Sequence, residues 1–270
     1  MVEPVLNQVI QTTSRPHTRD SLGRDLATLG VGPGQLVMMH VSMRALGFVV
    51  GGAVTLLDAV LDRLGPTGTL MMPAHSGDLS EPADWSNPPV PPAWVDTVRA
   101  AMPAFDRART PTWGVGIVAE LFRTWPGVVR SDHPTVSLAA HGPLAAKILD
   151  DHLFDDPHGE CSPLARAYDR NVKVLLLGVG WDRATLLHLA ERRALPDADP
   201  ISAGAPVLRA GKRVWQTYRD YDSDPHNFLV VGDALAAAKQ LTLGPVGSAK
   251  AILAEGRTVV DTGLACLKAG

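Results

Sequence analysis

The sequence predicts an α/β protein, with a central, mostly parallel sheet flanked by helices on both faces (α/β/α). Two observations support this fold class. Short apolar runs at 36–41, 69–73 and 172–177 are typical of strands that are buried on both faces, as in parallel sheets. The stretch 53–64 between the first two runs has apolar residues at helical spacing, so that strand, helix and strand form a βαβ unit.

Composition and charge indicate one soluble domain over residues 1–270. Hydrophobic residues make up 46% of the chain and charged residues 20%, which is enough apolar material for a sizeable core. The net charge of −3 and the dispersed lysines and arginines exclude the basic surface that nucleic-acid binding requires. No stretch approaches the roughly 18 apolar residues of a membrane span. The two cysteines lack metal-ligand spacing and suit a reducing compartment, so we expect a cytoplasmic protein without membrane or nucleic-acid partners.

The first part of the chain builds the βαβ unit. A helix is predicted over 20–29 and ends at a glycine, after which the strand 36–41 brings His40 and Ser42 to its carboxyl end. In an open α/β sheet, the crevice beyond the carboxyl ends of the strands is where ligands usually bind. Both residues are therefore candidates for a binding site.

The loop 42–52 that follows this strand is a candidate anion site. It ends in the pair Gly51 and Gly52 directly before a helix, and Arg44 lies upstream. Free amide groups and the positive end of the helix dipole at such a position favour a phosphate or pyrophosphate. A glycine pair before a helix is more often only a turn, so both interpretations stay open.

Residues 75–113 interrupt the alternation of strands and helices and predict an inserted lid. The stretch is rich in proline and polar residues, and its three tryptophans favour packed structure over a free linker. A mild excess of acids suits a cationic ligand, although solvated loops often carry such acids. Three of these acids are candidates for binding the substrate: Asp78, Glu81 and Asp84.

The segment 128–138 groups polar side chains in a turn. Within it, Thr135 and Ser137 follow a His-Pro dipeptide and could donate hydrogen bonds to a developing oxyanion, although turn capping by such residues is commoner. Three helices are predicted around this segment and before the central strand: over 114–125, 142–151 and 162–169.

The C-terminal third predicts a β-hairpin and further helices. Two short runs at 206–209 and 213–218 flank the turn Ala-Gly-Lys, which is typical of a hairpin. Two helices and a last short strand are predicted beyond it: over 228–240, 245–254 and 258–261.

The stretch from Gly178 to Arg193, GVGWDRATLLHLAERR, carries the most informative titratable residues. It follows the central strand, and Asp182 opens a helical pattern on which His188 and Glu191 are three positions apart. Histidine titrates near neutral pH, so His188 can act as a general base if a carboxylate orients its ring. A surface helix with Asp182 as its N-cap is the competing structural explanation.

Other kinds of site are disfavoured by missing motifs. The chain has neither HExxH nor CxxC, and its histidines are scattered, so we expect no metal. It has no GxSxG, which a serine hydrolase elbow requires. Gly178-Val179-Gly180 is followed by Trp-Asp-Arg, so the dinucleotide motif GxGxxG is absent.

Seven blocks of sequence follow one another from about residue 20 to the C-terminus. They are HVSMRALGFVVGG, GPTGTLMMP, DWSNPPVPPAW, TPTWGVGIVAELFR, RSDHPTVSLAAHG, HGECSPLARAY and LLLGVGWDRATLLHLAE. Each block is weak alone, but their order over most of the chain is specific. In this order they resemble the aminoglycoside N3-acetyltransferase family.

The resemblance implies acetyl transfer from acetyl-CoA to the 3-amino group of an aminoglycoside antibiotic, on a fold distinct from the GNAT acetyltransferases and without a metal. His188 would deprotonate the acceptor ammonium, with Asp182 or Glu191 in support, and Asp222 would join the acids that bind the substrate. The residues expected to bind CoA are His40, Ser42, Met43, Arg44, Gly47, Val50, Gly51, Gly52, Pro73, Thr135 and Ser137.

Three points stay open at this stage. The acceptor could be a different amine metabolite, and the chain could bind CoA or a polycation without turnover. The carboxylate that orients His188 could be Asp182, Glu191 or Asp222. The oligomeric state is open between monomer and dimer.

Overall fold

The strands form a mixed seven-stranded sheet and a separate hairpin. The computed structural model describes residues 3–269, with side chains for residues 6–268. The large sheet has the order β3-β4-β2-β1-β5-β9-β8, and β6 pairs with β7. In chain order the strands are β1 (Leu36–Val41), β2 (Thr69–Pro73), β3 (Val129–Arg130), β4 (Leu138–His141), β5 (Lys173–Leu177), β6 (Ile201–Arg209), β7 (Lys212–Asp220), β8 (Leu241–Val246) and β9 (Ala249–Glu255).

Parallel pairing is confined to the centre of the large sheet. β1 runs parallel to β2 on one side, with Val37 opposite Leu70, and parallel to β5 on the other, with Val37 opposite Lys173. The outer strands pair antiparallel. β1, β2 and β5 are the three apolar runs of the sequence, and burial on both faces explains their composition.

Helices cover both faces of the sheet, which confirms the predicted α/β/α fold class. Alternate residues of β1 separate two apolar cores: Val37 and Met39 face α2, α3 and α5, whereas Met38 faces α6 to α10. The helices are α1 (Glu3–Thr12), α2 (Arg19–Leu29), α3 (Gly52–Leu64), α4 (Val95–Ala101), α5 (Ile117–Arg123), α6 (Ala145–Leu149), α7 (Pro163–Asp169), α8 (Leu187–Ala194), α9 (Leu229–Ala237) and α10 (Gly256–Ala269).

The insert 75–113 is packed structure that contains α4 and three short 3₁₀ turns. A small apolar core of its own includes Met102 and Phe105 and continues onto Trp215 of the hairpin. The two ends of the insert meet, since the Trp113 amide donates to the His75 carbonyl (2.7 Å).

A buried arginine ties the insert to the sheet. The guanidinium of Arg130, on β3, donates to the carbonyls of Thr110 (2.5 Å) and Ala74 (2.7 Å), just inside and just outside the two ends of the insert. Burial lowers the pKa of Arg130 to about 10, which still leaves it charged at neutral pH. The insert is therefore fixed to the carboxyl end of β2.

The C-terminal elements differ from the sequence prediction. The predicted helix 245–254 is the hairpin of β8 and β9, and the predicted strand 258–261 lies inside α10. Gly247 turns the chain between the two strands with φ +59°, a conformation that helices do not contain. Apolar residues in a short segment fit helix and strand equally well, which explains the error.

Two further observations complete the fold. The predicted hairpin 206–218 is confirmed, as part of the longer pair β6 and β7. No helix among residues 3–269 is both long enough and apolar enough to cross a membrane.

Candidate active site

A cleft of about 490 Å³ opens at the carboxyl ends of the three parallel strands. His40 and Ser42 from the end of β1 and Pro73 from β2 line one part, and His188 on α8 lines another. The chain leaves β1 for β2 on one side and reaches β5 on the other. Open α/β sheets bind ligands at such switch points in strand order.

His188 is held through one ring nitrogen at the start of α8. Its Nδ1 lies 3.2 Å from Oε2 of Glu191 and 3.0 Å from Oγ of Ser223. The Ser223 hydroxyl also donates to Glu191 Oε2 (2.5 Å), and the Asp224 amide donates to Glu191 Oε1 (3.3 Å). The three side chains form one hydrogen-bonded group, which leaves Nε2 of His188 without a partner among the described residues.

Glu191 is suited to stay ionised beside this imidazole. Its side chain is buried, which by itself raises the pKa of the carboxyl, but hydrogen bonds from His188 and Ser223 outweigh burial and hold that pKa below its usual value. An ionised carboxylate on Nδ1 fixes the ring orientation and stabilises an imidazolium.

Two aromatic rings fix the plane of the His188 ring. His158 stacks on it with centroids 4.6 Å apart and an angle of 14°, and Phe228 meets it edge-on at 5.0 Å. Burial holds the pKa of His158 well below its usual value, so the stacked ring is neutral at pH 7.

Asp182 and Asp222 have other partners. Asp182 lines the cleft but pairs with Arg183 (3.0 Å), and it lies in a 3₁₀ turn before α8, so it is not the N-cap of that helix. Asp222 is exposed and accepts from the Ser223 amide (3.0 Å). Of the three candidate carboxylates, Glu191 alone contacts His188.

Two further histidines line the cleft and are neutral. Burial, together with nearby His188, lowers the pKa of both His40 and His75 to about 3. Nε2 of each is buried and has no hydrogen-bond partner among the described residues. The cleft therefore carries polar groups whose hydrogen bonds a ligand can complete.

The loop after β1 divides into parts with different surroundings. Ser42 and Met43 line the cleft, whereas Arg44 is exposed and donates to Gln8 (2.9 Å). Gly47 is buried, and a side chain there would clash with Ser248 and Thr13. Internal packing thus explains Gly47 without any ligand.

The end of this loop is open to solvent. Val50 is exposed, and Gly51 and Gly52 have φ of +79° and +62° at the start of α3. A side chain at Gly51 would clash with Thr55, but nothing lies within 4 Å of a side chain at Gly52. Space for a ligand exists at Gly52.

The structure does not bring Thr135 and Ser137 to the cleft. Both are buried: the Thr135 hydroxyl bonds the Tyr218 hydroxyl (2.9 Å), and the Ser137 hydroxyl donates to the Ala74 carbonyl (2.7 Å). Arg130 also donates to Ser137 (2.9 Å). Their hydroxyl groups are therefore already bonded within the protein.

The acids of the insert are in two different situations. Glu81 accepts two hydrogen bonds from Arg99 (2.7 and 2.9 Å), so its charge is neutralised. Asp78 and Asp84 line a second pocket beside the cleft, and Trp113 lines both spaces.

Sequence reasoning missed several residues of the site. Local spacing could not predict Ser223, because it lies 35 residues from His188. Only the acidic residues of its segment were candidates for the site. His75 and Trp113 line the cleft and His158 stacks on His188, but the three come from distant parts of the chain and follow no spacing rule. Within the described side chains, no group of three or more histidine, cysteine or acidic residues is arranged to hold a metal.

The chain is similar in sequence to known acetyltransferases. It matches the family described as aminoglycoside 3-N-acetyltransferase over residues 38–268. It is 41% identical over 257 residues to the SPbeta prophage-derived aminoglycoside N(3')-acetyltransferase-like protein YokD of Bacillus subtilis, covering 95% of this chain and 94% of that protein. It is 42% identical over 275 residues to aminoglycoside N(3)-acetyltransferase VIII of Streptomyces fradiae, with the same coverage.

Solved structures are also similar. The crystal structure of YokD matches with a TM-score of 0.93 and 40% identity over 96% of both chains. AAC-VIa bound to sisomicin matches with a TM-score of 0.85 and 35% identity, covering 94% of this chain and 98% of that one. AAC-IIIb in a binary complex with CoASH matches with a TM-score of 0.82 and 30% identity, covering 94% of this chain and 97% of that one. The family match over most of the chain, with relatives alike along nearly their whole length, shows that this protein belongs to the aminoglycoside 3-N-acetyltransferase family.

Proposed function

We propose that this enzyme transfers the acetyl group of acetyl-CoA to the 3-amino group of an aminoglycoside, with His188 as general base. The observation that carries the proposal is the hydrogen-bonded group of His188, Glu191 and Ser223 at the edge of the cleft. Nδ1 of His188 is engaged, so Nε2 is the nitrogen that can accept a proton from a substrate. Relatives in complex with CoASH and with sisomicin support both substrates.

In the proposed reaction, one proton passes from the acceptor ammonium to His188 and then to the leaving sulfur. Nε2 takes one proton from the acceptor ammonium, which frees the nitrogen lone pair. The acceptor nitrogen then attacks the thioester carbonyl carbon and forms a C–N bond. The C–S bond breaks, and the sulfur leaves as a thiolate. The imidazolium gives its proton to the sulfur, and a second ammonium proton goes to solvent. The products are an amide, a free thiol and one proton.

Glu191 and Ser223 are positioning residues in this scheme. Glu191 accepts from Nδ1–H and so keeps Nε2 unprotonated before the reaction, and its charge stabilises the imidazolium that forms. Ser223 donates to Glu191 and keeps the carboxylate in place.

The cleft fits an acyl thioester. Met39 and Met72 give it an apolar floor. The hydroxyls of Ser42 and Thr185 line it, and within residues 3–269 neither donates to another group, so we assign them as donors to the thioester oxygen. Thr135 and Ser137 are already bonded elsewhere. The pantetheine and phosphates would run along Met43 and the open end of the loop at Gly52.

The proposal is tested by thiol release from acetyl-CoA with a panel of aminoglycosides and simple amines. We expect turnover with aminoglycosides and a drop in kcat of at least about 10²-fold in His188→Ala, with little change in acetyl-CoA affinity. His226→Ala is the matched control, because His226 is exposed and lies outside the cleft. Binding of acetyl-CoA without thiol release for any amine would overturn the proposal in favour of a binding protein.

A further inference from the structure

His40 is a buried histidine of the cleft that the proposed proton transfer does not use. Its side chain lines the cleft, although only 6% of its surface is exposed. Because side chains alternate along a strand, His40 lies on the same face of β1 as Met38. That face packs against the core that includes α8, the helix of His188. Strand β1 therefore holds the His40 ring between the apolar core and the cleft.

The ring of His40 has a nitrogen that a ligand can reach. Neither ring nitrogen has a hydrogen-bond partner among the described residues, and of the two only Nε2 is fully enclosed. Enclosed N–H groups without a partner are rarer in proteins than enclosed acceptors without one, which favours a proton on Nδ1 of the neutral ring. The Nδ1–H group then lacks an acceptor, and a ligand in the cleft can supply it.

His40 stays neutral while His188 takes up a proton. Burial and the nearby His188 lower the pKa of His40 to about 3, so His40 does not compete with His188 for the proton of the acceptor. A neutral imidazole can still donate a hydrogen bond to a developing oxyanion without losing its proton. The two histidines are therefore suited to different tasks.

The pairing of β1 with β5 fixes His40 beside Ser42. His40 lies opposite Leu176, and the Ser42 amide donates to the Leu177 carbonyl (2.9 Å). Both side chains line the cleft, two positions apart in the chain. The Ser42 hydroxyl can rotate, whereas burial and strand pairing fix the imidazole. A donor that is fixed before the reaction stabilises an oxyanion without reorganisation.

We propose that His40 is a further catalytic residue, whose Nδ1–H group donates a hydrogen bond to the thioester carbonyl oxygen as negative charge develops there. The inference rests on the proposed function and deepens it, because it adds a fixed donor to the hydroxyls of Ser42 and Thr185. The C–N bond forms and the C–S bond breaks as in the proposed reaction. The proton of His40 stays on its ring throughout.

Replacement of His40 by side chains with and without a donor tests the assignment. The amide nitrogen of asparagine lies near the position of Nδ1 in histidine, whereas leucine has no donor. We expect His40→Leu to lower kcat at least about 10²-fold with little change in the KM for acetyl-CoA. His40→Asn should stay within about tenfold of the wild-type kcat.

Met38→Leu is the matched control for packing. Met38 is fully buried on the same face of β1 and does not line the cleft, so kcat should change less than about twofold. Circular dichroism and urea unfolding show whether each variant is folded under the assay conditions. His40→Leu replaces a buried ring without hydrogen bonds by an apolar side chain, so we expect it to fold.

The infrared frequency of the thioester carbonyl gives a second measurement, which a purely structural role of His40 would not change. A hydrogen bond weakens the C=O bond, so acetyl-CoA with an isotope label at the carbonyl carbon should absorb at lower frequency on wild type and His40→Asn than on His40→Leu. Equal frequencies on all three proteins, or a wild-type kcat in His40→Leu, would overturn the assignment while the proposed function stands. If the frequencies differ as described but no amine is acetylated, His40 remains the donor and the proposed function is overturned.

Discussion

At the residue scale, the proposed proton transfer by His188 depends on which group contacts its Nδ1. Three carboxylates were open candidates, and the contacts single out Glu191, because Asp182 pairs with Arg183 and Asp222 is exposed. Spacing of three residues on a helix suggested the pair His188 and Glu191 from sequence. Ser223, the third member, comes from a distant segment, and local patterns cannot reveal it.

Substitution of the three carboxylates separates their roles. We expect Glu191→Gln to lower kcat about 10²-fold, because the amide can donate to Nδ1 and so favours the wrong tautomer of His188. Asp182→Asn and Asp222→Asn should change kcat less than about threefold. Steady-state kinetics at saturating acetyl-CoA measure the difference. A larger loss in Asp182→Asn than in Glu191→Gln would contradict the assignment of the orienting carboxylate.

At the element scale, the central strands and the helices before and after them could be predicted because apolar periodicity was unambiguous there. Strand β1 and helix α3 match the predicted bounds within one residue. The segments β8 and β9 could not be predicted, because their apolar residues fit either period and the pairing that decides between them is with distant β5. Pairing with a distant strand, and not the local apolar pattern, therefore determines the secondary structure of this segment.

The glycines of the loop between β1 and α3 should behave differently from one another. Gly47→Ala places a side-chain atom 2.6 Å from Oγ of Ser248 at φ +81°, so we expect it to lower the free energy of unfolding by about 3 kcal/mol. Gly52→Ala has only the strain of its positive φ, which costs about 1 kcal/mol. Urea unfolding compares the two.

Two variants of the same loop should affect protein stability and CoA binding separately. Gly52→Val places a branched side chain in the open space at the start of α3, so we expect a sharp rise in the KM for acetyl-CoA. Gly47→Ala should leave that KM nearly unchanged in the folded fraction. An unchanged KM in Gly52→Val would locate the phosphates of CoA elsewhere.

At the scale of the whole molecule, buried histidines couple stability to pH. Burial lowers the pKa of several of them, to about 3 for His40 and His75 and to about 4 for His152. Between these values and the ordinary pKa of 6.5, the unfolded chain binds protons that the folded protein does not. The contribution of these histidines to the free energy of unfolding is therefore fully present above pH 6.5 and is lost as the pH falls towards 4 for His152 and towards 3 for His40 and His75.

This coupling predicts a slope that can be measured. Each such histidine contributes at most about 1.4 kcal/mol per pH unit to the free energy of unfolding, so urea midpoints should fall steeply from pH 6.5 to pH 5. His40→Gln should remove the contribution of one histidine from the pH dependence of the free energy of unfolding, whatever its effect on stability at pH 8. His226→Gln, at an exposed site, is the control and should keep the wild-type slope. Equal slopes for wild type and His40→Gln would refute the linkage.

The touching ends of the insert have a consequence for how this protein can diversify. His75 and Trp113 are hydrogen-bonded across the neck, so the chain enters and leaves this segment at almost one point. Replacing a segment with joined ends need not move the strands beneath it, and its length has only a weak energetic effect. Asp78 and Asp84 lie inside the insert, whereas His188 and its partner Glu191 lie outside it. The insert can therefore be replaced without moving the proposed general base.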